Sequence, residues 1–104
     1  MAVHHLIEIL LPLADNHSDR IPSDLYAEVA DVLTKRFGGV TVFSRSPAEG
    51  VWRSPSGMQR DDVIVFEVMV DQLDRGWWEG YRSDLERRFR QEEILIRAIP
   101  IVRL

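Results

Sequence analysis

Two glutamates stand in runs that otherwise carry apolar side chains: Glu8 within Leu6 to Leu11, and Glu67 within Val63 to Val70. A carboxylate in such surroundings must be paired or else neutralised by a shifted pKa. Arginines occupy comparable positions, Arg97 in a C-terminal apolar run and Arg45 at the end of Val40 to Arg45. If the four runs are strands lying side by side, these charges line up across one sheet in the order Arg97, Glu8, Glu67, Arg45. Adjacent carboxylates would also perturb each other's titration. The chemistry on offer is proton transfer by Glu8 or Glu67, the candidate catalytic groups, with Arg97 or Arg45 anchoring an anion. The bland reading of the same row is a structural ion-pair network that fixes how two sheets meet.

A second candidate lies in the connection from Pro47 to Asp61, about fifteen residues where two to five would join two strands. It holds Trp52 and Arg53 among Pro47, Gly50, Pro55 and Gly57. Trp52 can cap a ligand cavity or anchor the connection on its own domain, and Arg53 can contact a ligand. The connection is expected to serve as a lid, or as a longer hairpin turning at Ser56-Gly57.

Other chemistries drop out. The chain has no cysteine, so disulfides, thiolate nucleophiles and cysteine metal sites are excluded. His4 and His5 face opposite sides of a strand, and no pair among His4, His5 and His17 has metal-ligand spacing, so no metal is expected. His5, among aliphatics, reads as a satisfied, partly buried histidine. Gly38-Gly39 follows a helix rather than opening one, so it is no phosphate loop, and nothing resembles a nucleophile elbow. No cofactor is implied. The formal net charge of −4 argues against a nucleic-acid partner, and the sheet positions that would stack RNA bases are aliphatic or acidic apart from Phe43. Glu8 interrupts the apolar N-terminal run, no Lys or Arg precedes it, and no span or signal is read there. The triplet Asn16-His17-Ser18 is read as chance for the same reason, and a cytoplasmic address is the default.

The elements that must position these residues follow from periodicity. Val3 to Leu11 alternates as a strand, stopped by Pro12. Pro22-Ser23-Asp24 opens a helix with Ser23 as the expected cap, and Leu25, Val29, Val32, Leu33 and Phe37 form its inner stripe up to Gly38-Gly39. Val40 to Arg45 and Asp62 to Val70 are strands. Asp74 caps a second helix with inner stripe Trp77, Tyr81, Leu85 and Phe89, Trp78 at its edge, and Asp84–Arg88 and Glu86–Arg90 pairs on its wet side. Ile94 to Leu104 is a strand broken at Pro100, whose last residues are expected to run on and meet a partner.

The order strand, helix, strand, strand, helix, strand is that of an α+β, ferredoxin-like βαββαβ domain covering residues 1–104. Its four-stranded antiparallel sheet runs fourth, first, third, second, with both helices on one face. The run Arg36-Phe37-Gly38-Gly39-Val40-Thr41, then Pro47-Ala48-Glu49-Gly50 with Trp52, then Asp61-Asp62-Val63-Ile64-Val65, resembles a family of small uncharacterised bacterial proteins. The resemblance spans nearly the whole chain and implies the ferredoxin-like fold, of the dimeric α/β barrel type, without an activity to carry over.

If Ile7, Ile9, Ile64, Phe66, Val68, Ile94, Ile96 and Ala98 face the helices, the opposite face holds Leu6, Leu10, Val65, Met69, Leu95, Ile99 and Ile101 around the charges. That is too apolar for water, and a second copy of the chain is the expected cover. Two functions fit. One is a homodimeric small-molecule-binding protein, an enzyme without cofactor among its forms, with its site between the open sheet face and the 47–61 connection. The other is a structural or regulatory interaction module with no ligand.

Overall fold

A computed structural model describes residues 4–17, 19–45, 53–54, 57–58 and 63–104. Strand β1 (His4–Pro12) is followed by helix α1 (Ser23–Phe37) and strand β2 (Thr41–Arg45). Two short strands, β3 (Arg53–Ser54) and β4 (Gly57–Met58), precede β5 (Val63–Val70), helix α2 (Arg75–Arg88) and β6 (Leu95–Ile101). The main sheet has the order β2-β5-β1-β6 with every neighbour antiparallel, the α+β, ferredoxin-like arrangement expected from the pattern.

Alternation decides which side chains meet the helices. Ile7, Ile9 and Leu11 of β1 and Phe66, Val68 and Val70 of β5 point to one face, where they join Val29 and Leu33 of α1 with Trp78, Leu85 and Phe89 of α2. All are buried, and Ile9, Leu11 and Leu33 are wholly inaccessible. Burying aliphatic and aromatic side chains of this size stabilises by roughly 1.5–3 kcal/mol each. Val32, placed by the sequence on the inner stripe, is exposed instead, because the apolar stripe of α1 narrows to Val29 and Leu33 with Leu25, Ala30 and Phe37 beside them.

Helix α1 also starts differently from expectation. Pro22 holds the N-cap position in an extended conformation, with no side-chain cap, and Ser23 is the first helical residue. Proline's fixed φ delivers the chain into the helix without needing Ser23 as a cap. At the other end Gly38 adopts φ 86° and donates its N–H to the Thr34 carbonyl at 2.8 Å. This left-handed position disfavours any residue with a Cβ. Asp74 caps α2 as expected, its carboxylate accepting from the Trp77 N–H at 3.1 Å.

The two tryptophans exchange the roles assigned from the sequence. Trp78 is buried and stacks on Phe37 at 5.3 Å, whereas Trp77 lies on the flank with the Arg36 guanidinium 4.3 Å above its ring. Four residues overshoot a full helical turn by about 40°, so a stripe stepped by fours from Trp77 drifts and is fully buried only from Leu85 on, while Trp78 and Leu85 share a line. On the wet side Asp84 binds Arg88 at 3.1 Å and also binds Arg87, but Glu86 does not pair with Arg90. Its carboxylate accepts from the Ile94 N–H at 2.9 Å and so fixes the entry to β6. Arg88 reaches Glu28 of α1 at 3.0 Å and links the helices.

Pro12 lies within β1, opposite Val63, rather than ending the strand before itself. Pro100 does not interrupt pairing either: it sits opposite His5, and Ile101 opposite His4. The reason is that β6 is an edge strand, where a missing amide hydrogen can face away from the ladder.

Burial raises the Tyr81 hydroxyl to about 12, with the Asp84 carboxylate adding to the effect. Burial raises Tyr26 as well, and its hydroxyl donates to the Pro12 carbonyl at 2.5 Å. Because both folded values lie above the unfolded value of about 10, the phenols contribute fully below that pH and lose the contribution as pH rises through the folded value, which for Tyr81 is about 12. An absorbance titration at the phenolate band should show neither tyrosine ionising with a midpoint at or below about 10 while the protein stays folded. A midpoint there would contradict the packing.

Candidate functional site

Three rows across the sheet form the middle of the face away from the helices. Leu95, Leu10, Val65 and Phe43 form one row; Arg97, Glu8, Glu67 and Thr41 the next; Ile99, Leu6 and Met69 the third. Alternation on four strands therefore brings three of the four expected charges into direct cross-strand contact positions. Glu8 is opposite both Glu67 and Arg97.

Arg45 does not belong to the row. Strand β2 runs antiparallel to β5, so its first residue, Thr41, meets Glu67 and its last, Arg45, meets Val63. Four strand residues separate Arg45 from the row, roughly 13 Å.

Glu8 is 6% exposed, the buried charged residue among the described residues. Its Oε1 accepts from Arg97 Nε at 2.6 Å, a short charge-assisted bond. The Arg97 side chain keeps 42% exposure, so its outer edge stays wet while Nε holds the carboxylate. Glu67 is half-buried at the neighbouring position. The two glutamates are thus not equivalent. Glu8 is committed to Arg97, whereas Glu67 lies on the wall of a cavity of about 360 Å³.

That cavity wraps round the sheet edge where α1 hands over to β2. Gly38, Gly39 and Thr41 lie on one side and Glu67, Met69 and Arg103 on the other. The cation that shares a cavity with Glu67 is therefore Arg103, which the sequence reading passed over. No local signal marks it: Arg103 follows β6 in the tail Val102-Arg103-Leu104 and comes to the same cavity as Glu67 only through the fold. Around the row Met69, Leu95 and Ile99 are exposed, whereas Val65, on the same face, is fully buried.

Among the remaining candidates, Trp52 lies outside the described residues, as does most of the 47–61 connection. Within it β3 and β4 pair as a hairpin, with Arg53 opposite Met58 and Ser54 opposite Gly57, so Gly57 is a strand residue rather than half of the expected Ser56-Gly57 turn. His4 Nδ1 lies 2.6 Å from Asp71 Oδ1, an ion pair whenever the imidazole is protonated. His5 is not the satisfied histidine expected: its buried Nδ1 has no hydrogen-bond partner among the described residues. It lines a second cavity, about 370 Å³, on the other side of the sheet between α2 and β6. Ala98, expected under a helix, is exposed there because α2 leaves this stretch of β6 uncovered.

Among the described residues no group of three or more His, Asp or Glu is placed to hold a metal ion. Among the described residues no helix is long and apolar enough to cross a membrane. No family model matches the chain, and no curated protein matches it.

Removing one member of the Glu8–Arg97 pair leaves a charge in an apolar setting. Arg97→Met should cost about 2–4 kcal/mol, below the range for a wholly buried pair because Arg97 is partly in water. Glu8→Gln combined with Arg97→Met should cost less than the sum of the single changes in urea unfolding. Strict additivity would mean that the pair is not energetically coupled.

Proposed function

We propose that the protein is a small-molecule-binding homodimer, two copies meeting through the sheet face that carries the Arg97–Glu8–Glu67 row. The observation that carries this reading is a buried carboxylate, held by a partly exposed arginine and bordered by exposed Met69, Leu95 and Ile99, on a sheet whose other face is already packed. Large apolar side chains around a desolvated carboxylate are the composition of an interface core rather than of a solvated surface. A two-fold pairing of this face covers them with their own equivalents.

The ligand site is the cavity bounded by Glu67, Arg103, Thr41 and Met69, in which a carboxylate and a guanidinium border the same space. Glu67 is the group for accepting a hydrogen bond or a proton, Arg103 the anchor for an anion, and Glu8 with Arg97 the support that fixes the row. A site with one acceptor and one cation suits a small zwitterion or hydroxy acid. This reading differs from the dry interaction module in requiring that Glu67 matter for binding and not for folding.

The wild type should sediment as a dimer at micromolar concentration, burying more than about 1,200 Å² in total. Ile99→Asp should shift it to monomer. In NMR titrations with a mixture of amino acids and 2-hydroxy acids, amides at Thr41 and Met69 should move in the wild type and not in Glu67→Gln. A well-folded wild-type monomer would overturn the dimer. A dimer in which no titrant moves Thr41 or Met69 would leave the dry module as the correct reading.

A further inference from the structure

We propose that the cleft between α2 and the edge strand β6 is a separate ligand site, on the opposite side of the sheet from the Glu8–Arg97 pair, and that it takes a small organic monoanion with a flat apolar body. The cleft is about 370 Å³, within the size range of small-molecule sites. Its floor and apolar wall are Ile7, Trp78, Ile96 and Pro100, and its polar groups are His5, Arg75, Glu79 and Arg82.

Three observations point to a ligand. The arginines at the C-terminal end of α2 are engaged, Arg87 and Arg88 with Asp84 and Arg88 also with Glu28. Arg75 and Arg82, by contrast, make no hydrogen bond or ion pair with any described residue, yet both border the cleft. They stand two helical turns apart, with Glu79 between them, so they present their guanidinium groups along the same side of α2. Beneath them the buried Nδ1 of His5 lacks a partner among the described residues. A buried polar atom of this kind calls for one, and since it is closed to solvent the imidazole must turn for a ligand oxygen or nitrogen in the cleft to supply it.

Charge and shape narrow the class. Two guanidinium groups against one carboxylate leave a single net positive charge, which matches a monoanion and disfavours a phosphate dianion facing Glu79. Arginine forks suit a carboxylate, while the Trp78 and Pro100 surfaces suit an aromatic or flat aliphatic body. The sheet positions the parts: His5 is brought opposite Pro100 by the β1–β6 register, and α2 lies across them because Trp78 is the residue that reaches the core.

The test uses 2-naphthoate, its neutral analogue 2-naphthamide, and inorganic phosphate, followed by amide shifts at Trp78 and Ala98 and by the His5 ring signals. Naphthoate should bind and move all three, roughly tenfold more tightly than the amide, with affinity falling as salt rises. The Arg75→Gln/Arg82→Gln double variant, altered only at exposed side chains, should bind both compounds alike. Should that variant fail to fold, the wild-type preference for naphthoate over naphthamide decides alone. Equal binding of acid and amide, tighter binding of phosphate than of naphthoate, or shifts confined to the Thr41 and Met69 amides would each overturn the proposal. The last outcome would assign the anion to the Glu67 cavity instead.

Discussion

The bond between Arg97 and Glu8 is the contact on which the far side of the sheet depends. Glu8 sits on β1, a strand paired on both edges, between β5 and β6. A carboxylate there is almost shut off from bulk water, and Arg97, donating to it at 2.6 Å, offsets part of its desolvation. The pairing in turn favours the observed β1–β6 register, since a slip by one residue would send Arg97 to the helix face and away from Glu8. Placing Glu8 directly opposite Glu67 then sets the second carboxylate at the rim of the 360 Å³ cavity. One ion pair therefore separates the roles of two otherwise similar glutamates.

The two faces of the sheet are used differently. On one, α1 and α2 bury an aliphatic and aromatic core, but α2 stops short of covering β6 completely and leaves the cleft with His5, Arg75 and Arg82. On the other, aliphatic rows flank the charges, and Met69, Leu95 and Ile99 remain exposed. A sheet built this way offers a polar-lined cleft on its packed side and an apolar surface with embedded charge on its other side. Both follow from β1, which carries Ile7 and Ile9 toward the helices and Leu6, Glu8 and Leu10 away from them.

Much of this was legible in the sequence because strand alternation and helix capping are local signals. The Asp74 cap, the Gly38 terminus and the shared face of Glu8, Glu67 and Arg97 follow from them, and the strand order follows once the element order is read through the rules for crossover connections. What failed were quantities that local pattern does not contain. Arg45 was misplaced because parity gives the face of a residue but not its register, and only the pairing of Thr41 with Glu67 fixes that. Trp77 and Trp78 were interchanged because a short helix allows two neighbouring stripes, and only the packing of α2 on the rest of the core, which buries Trp78 and leaves Trp77 partly exposed, selects between them. Arg103 and the His5 cleft were invisible because each is made by segments distant in sequence meeting at an edge. Pro100 was over-read: its effect depends on whether the strand is central or at the edge, which is a property of the sheet.

The central claim is that the apolar face around the Glu8–Arg97 pair meets the same face of a second copy. It is tested most directly by isotope-filtered NOE spectroscopy on an equimolar mixture of ¹³C-labelled and unlabelled chains. The account requires intermolecular NOEs from the methyl groups of Met69, Leu95 and Ile99. Intermolecular NOEs from Val32 and other helix-side residues alone, or none at all at concentrations where the protein is folded, would contradict it.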